Sequence, residues 1–163
     1  MIWLFKSEDV LVKFEKAVVA VLVVLMVALS FLQLVLRLAF HSSILWLDPL
    51  LRHFVLWAGF LGAALAARES RHFALDIAHE MMPQWLRRPA AILGACFACV
   101  VCAFMVYAGI SFIKDEIASG SAAFDIGSWS VKGWWLELIL PVGFALILFH
   151  TAVGLLRPAK EVK

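Results

Sequence analysis

Hydrophobic and polar positions fall into four long apolar blocks separated by short polar ones. Residues 17–36, AVVAVLVVLMVALSFLQLVL, carry no charge. As a helix this run reaches about 30 Å, enough to cross the hydrocarbon core of a bilayer. It outlasts the apolar region of a signal peptide, and no small-x-small cleavage site follows, so it is expected to stay in place as a first span. Three further blocks, at 49–67, 90–113 and 134–156, are long enough to do the same. Pro49 suits the first turn of the second block, where its missing N–H has no partner to lose. Arg52 and His53 enter that block within snorkelling reach of water. Pro141 and Gly143 inside the fourth block predict a kink. The predicted fold is therefore an all-α membrane protein of four transmembrane helices, with residues 1–163 as one domain.

The segments between the blocks predict less regular structure. After Arg68, residues Phe73, Ala74, Ile77, Ala78, Met81 and Trp85 share one side of a helical wheel, and His72, Asp76, His79 and Glu80 share the other. This amphipathic pattern, flanked by Arg68, Arg71, Arg87 and Arg88, predicts a short helix of its own at the membrane surface, its arginines near anionic headgroups. Residues 114–133, rich in Ser, Ala, Gly and Asp, read as a loop. Two stripes repeat small residues at four-residue spacing: Gly59, Ala63 and Ala67, then Gly94, Ala98 and Cys102. Such faces let helix backbones approach closely where lipid supplies no hydrophobic drive for association.

Composition supports the membrane reading, since the chain is 64% hydrophobic and only 16% charged. A soluble domain carries about 25% charged residues. The distribution of charge predicts an orientation. Four spans place both termini on one side, and with residues 68–88 that side collects ten of the fourteen Lys and Arg. Arg37, Arg52, Lys114 and Lys132 remain on the other. Basic residues are retained in the cytoplasm, so both termini are expected inside.

Candidate chemistry is sparse. Cys96, Cys99 and Cys102 lie within one apolar block and read as small packing residues. His72, Asp76, His79 and Glu80 read as a solvated face. His79-Glu80 lacks the second histidine of a zinc-protease motif. His53 and His150 belong to opposite ends of the bundle, roughly 15–20 Å apart along it, too far to bind one haem. Arg52 and Glu137 lie at matched depth near the outer edge and are expected to pair. No nucleophile–base set, phosphate loop or nucleic-acid footprint is visible, and no charge falls near the midplane, where transporters bind substrate and coupling ion. No cofactor, metal site or catalysis is expected. These residues predict an accessory or scaffolding membrane protein. The rival readings are a four-helix redox or haem-bearing protein and a self-sufficient small exporter.

The order of several short segments adds a resemblance. They are Phe14-Glu15-Lys16, the run Phe31 to Arg37, the run Trp57 to Ala64 leading into Arg71 to Asp76, and the run Leu140 to Leu146. In this order the chain resembles the small membrane subunit, the Q or DctQ-like component, of tripartite ATP-independent periplasmic (TRAP) transporters. Asp48 to Arg52 departs from the Glu-Leu start common in that family. The resemblance implies three-part, sodium-coupled uptake of an organic anion. A periplasmic binding protein captures the anion, a large membrane subunit carries it, and the small subunit enlarges the large one's static scaffold. Structural contacts within the bundle or contacts with the partner are then expected at Arg37, Arg52, Glu137, Gly59, Ala63, Ala67, Pro141 and Gly143, with lipid around them.

Overall fold

The structure is a computed structural model. It describes the backbone of residues 2–81 and 84–156, with side chains over 8–69, 89–90 and 92–154. The expected faces of the amphipathic segment, including Arg71, Arg87 and Arg88, and the basic C-terminus at 157–163 lie outside the described residues.

The long apolar blocks become long helices because each can satisfy its backbone hydrogen bonds internally, as a lipid surround requires. The chain runs α1 (Ile2–Phe40), α2 (Leu47–Met81), α3 (Gln84–Ser119), a hairpin of β1 (Ala122–Ile126) and β2 (Trp129–Lys132), α4 (Gly133–Glu137) and α5 (Ile139–Leu156). Four apolar helical stretches are long enough to cross a membrane: Glu8–Phe40, Leu47–Glu69, Ile92–Ser119 and Gly133–Gly154. Helix α5 sits between α2 and α3, and α1 lies on α2. The buried apolar side chains include Leu61 and Ala64 of α2, Cys102 and Ile113 of α3, and Ile139 and Val153 of α5. Much of the rest faces outward: Val24, Val27 and Phe31 on α1 and Phe97, Val100 and Phe104 on α3 are exposed apolar side chains. In water such a surface would drive aggregation; against acyl chains it costs nothing.

Two expectations change. The segment after residue 67 does not begin a helix of its own, since α2 continues unbroken to Met81. No proline or glycine interrupts 68–81, so the helical hydrogen bonds simply propagate. The loop expected at 114–133 is largely structured: α3 runs on to Ser119, and an antiparallel hairpin follows. Its strands close at the pair Ile126↔Trp129 around Gly127 and Ser128. Gly127 takes φ 62°, a left-handed conformation that tight hairpin turns need and glycine adopts without strain.

The break in the fourth span falls at Leu138, between α4 and α5, three residues before Pro141. A helix would ask Pro141 to donate an N–H to the Glu137 carbonyl, and proline has none. The interruption is bridged by Leu138 N–H to Trp134 O at 3.2 Å and Val142 N–H to Leu138 O at 3.3 Å. The Trp57 indole N–H of α2 also donates to the Leu136 carbonyl at 2.7 Å. Both special residues of this span are used inside the bundle. A methyl group at Gly143 would lie 2.5 Å from a ring carbon of Phe60, and one at Gly109 of α3 would lie 3.2 Å from Pro141 N. Phe60 and Phe144 meet edge to face, their centroids 5.1 Å apart.

Candidate functional site

Helix α2 presents two different faces. Leu61 and Ala64 are buried, whereas Arg52, Val55, Gly59, Ala63 and Ala66 are exposed, at the three- and four-residue steps that keep positions on one helical stripe. The exposed stripe forms one wall of an open groove of about 430 Å³, and Phe144 and Ile147 of α5 contribute the other. Its floor is low because Gly59 and Ala63 have almost no side chain. A methyl group placed on Gly59 would meet nothing within 4 Å, nor would one on Gly62 or Gly94. The small-residue face at Gly59 and Ala63 is thus left open by the bundle, while Pro141 and Gly143 pack within it. Ala67 is half-buried.

The two ends of the bundle carry the polar chemistry. At the N-terminal end, Glu8, Val12 and Glu15 form a buried stripe on α1, and His150 of α5 is buried against it. The His150 ring places Nδ1 3.4 Å from Glu8 Oε1 and Nε2 3.2 Å from both oxygens of Glu15. The ring thus sits between two carboxylates of α1, one facing each nitrogen. Arg68 of α2 adds a cation, 3.6 Å from Glu8, and also pairs with Asp9. Lys16 and Glu69 meet at 3.1 Å on the exposed flank. Removing two carboxylates from water costs several kcal/mol each, and here an imidazole and a guanidinium offset that cost. The cluster ties α1 to α2 and α5. Arg68, expected at the membrane surface, meets carboxylates of α1.

At the other end, Gln33 Nε2–H donates to Asp48 Oδ1 at 2.9 Å, joining α1 to the start of α2. The expected ion pair between Arg52 and Glu137 does not form. Arg52 belongs to the exposed groove stripe. His53, one position further round the helix, and Glu116 of α3 are the titratable neighbours of Glu137. Glu137 Oε2 is buried without a hydrogen-bond partner among the described residues. Arg37 is exposed near Gln33 and Asp48.

The histidines once weighed as haem ligands are engaged elsewhere. The His53 ring contacts the Pro49 carbonyl at 2.7 Å through Nδ1, and His150 is enclosed by Glu8 and Glu15 at the opposite end. The buried cluster is not among the expectations drawn from the sequence. A signal was present: Glu8 and Glu15 are seven residues apart, with apolar Val12 between them on the same helical face.

Comparisons with known proteins agree with this architecture. The model for the DctQ component of tripartite ATP-independent periplasmic transporters matches residues 26–161. A C4-dicarboxylate TRAP transporter small permease protein, DctQ, of Pseudomonas aeruginosa is 29% identical over 113 residues, covering 69% of this chain and 53% of that protein. A sialic acid TRAP transporter permease protein, SiaT, of Haemophilus influenzae is 26% identical over 118 residues, 72% of this chain but 18% of its own length. A putative TRAP transporter small permease protein of Haemophilus influenzae is 37% identical over 59 residues, 36% of this chain and 37% of that one. The chain therefore spans about half the length of the Pseudomonas relative and less of the other two. With the family model matching most of its length, the chain belongs to the DctQ component family of TRAP transporters.

Proposed function

We propose that this chain is the small membrane subunit of a sodium-coupled TRAP-type transporter in a bacterial inner membrane. It holds a large membrane subunit that carries an organic anion delivered by a periplasmic binding protein. The observation that carries this reading is the open groove between α2 and α5, floored by Gly59 and Ala63. A groove with so low a floor accepts another transmembrane helix at close range, and such packing is the main attraction between helices in lipid. The SiaT relative supports the arrangement, because the stretch similar to this chain is a small part of one longer permease. A static role is supported by the placement of charge: the described Asp, Glu, Lys, Arg and His side chains of the spans sit toward their ends, and alternating-access sites lie near the midplane. Dicarboxylates, sialic acids, other sugar acids and keto acids all fit as cargo of the partners.

The proposal is tested by co-expressing the chain with its large subunit and purifying through a tag on the small one. Gly59→Leu and Ala63→Leu fill the groove and are expected to reduce the recovered large subunit at least several-fold, while the isolated small subunit keeps its thermal stability. Full recovery with both variants would place the partner on another face.

A further inference from the structure

The outer ends of α1 and α2 enclose a second, smaller pocket of about 220 Å³, lined by Ser30, Gln33, Leu34, Arg37, Asp48 and Leu51. Its chemistry differs from that of the apolar groove. Gln33 is only 7% exposed, and its amide orientation is set by the N–H it donates to Asp48. That leaves Gln33 Oε1 as a buried acceptor with no partner among the described residues. Such an atom forfeits the hydrogen bonds it would have in water. Arg37 and Asp48 share the pocket, yet no ion pair joins them, and Arg37 has no ion partner among the described residues. A cation and an anion held apart in one pocket, beside an unused acceptor, complement a small zwitterion whose positive end carries N–H donors.

The depth of the pocket names the class of zwitterion. Arg37 closes the apolar run 17–36, and Trp46 precedes α2 at the level where aromatic side chains meet headgroups. Leu34 lines the pocket, and Leu38 is exposed one turn further along α1. We infer that this pocket binds a phosphoethanolamine group carried on a membrane phospholipid. The phosphate lies on Arg37, the primary ammonium lies on Asp48 with Gln33 Oε1 as a further acceptor, and the glycerol end leaves past Leu34 and Leu51. Choline lipids carry the same phosphate, but their quaternary ammonium has no N–H for these acceptors. Glycerol headgroups lack the positive charge.

The test uses the full chain, stripped of lipid in detergent and then supplied with phosphatidylethanolamine, phosphatidylcholine or phosphatidylglycerol. Bound lipid is counted by native mass spectrometry and checked by thermal shift. Phosphatidylethanolamine is expected to be retained about tenfold over phosphatidylcholine, the margin of one charge-assisted hydrogen bond. Asp48→Asn and Gln33→Leu should erase that preference, and Arg37→Gln should weaken retention of both lipids. Asp48 and Arg37 are exposed, so their variants keep the test open if Gln33→Leu fails to fold. Soluble phosphoethanolamine forms a separate arm: displacement of the lipid by it shows that the free zwitterion is sufficient, and retention against it makes the lipid body part of the ligand. Equal retention of the ethanolamine and choline lipids, a preference unaltered in Asp48→Asn, or retention of both lipids unaltered in Arg37→Gln, would overturn the inference.

Discussion

His150 is buried in an apolar helix with a carboxylate on each side of its ring, an arrangement that survives only if every member keeps its partners. Removing the imidazole leaves Glu15 buried without that partner, while Glu8 keeps Arg68. Breaking a buried charge pair from one side costs about 3–5 kcal/mol, because the charge left behind is uncompensated. His150→Leu is therefore expected to lower the thermal stability of the purified chain by an amount of that order. The triple variant Glu8→Gln/Glu15→Gln/His150→Leu should recover much of the loss, since no lone charge remains. Melting curves in detergent check this, and a triple variant less stable than His150→Leu would contradict it. The spacing of Glu8, Val12 and Glu15 announced a face, but it could not announce a partner 135 residues further along the chain. Nothing local in a sequence records which histidine arrives there.

Among the elements, two glycines of similar appearance have opposite roles. Gly143 of α5 lies so close to Phe60 that a methyl group would overlap the ring, whereas Gly59 of α2 faces open space. Gly143→Ala should cost about 1–3 kcal/mol of bundle stability, as overpacking does. Gly59→Ala should leave it unchanged or raise it by up to about 1 kcal/mol, because glycine is a poor helix former. Thermal unfolding of the two variants side by side decides the matter, and equal losses would show that both faces are packed. The four spans themselves were legible, because an apolar run of sufficient length is a local property. The break near Pro141 was legible for the same reason, since a missing N–H acts within one turn. The hairpin was overlooked although Gly127-Ser128 between short apolar runs is a turn signal; the strands are only five and four residues long. Which small-residue face stays open depends on where Phe60 comes to rest, a tertiary fact that spacing alone does not contain.

At the scale of the whole molecule, the account joins an orientation to a role. The ten-to-four distribution of Lys and Arg predicts Ser70 in the cytoplasm and Ser121 outside. Single cysteines at these positions, in a variant lacking Cys96, Cys99 and Cys102, should react with an impermeant maleimide on intact cells only at 121. Labelling at 70 alone would invert the bundle. The central claim is that the chain supports transport without performing it. The most direct measurement reconstitutes the purified chain in liposomes under an inward sodium gradient, alone or with the proposed large subunit and binding protein, and follows uptake of a labelled organic anion. The account predicts uptake only with all three components together; accumulation by this chain alone would contradict it.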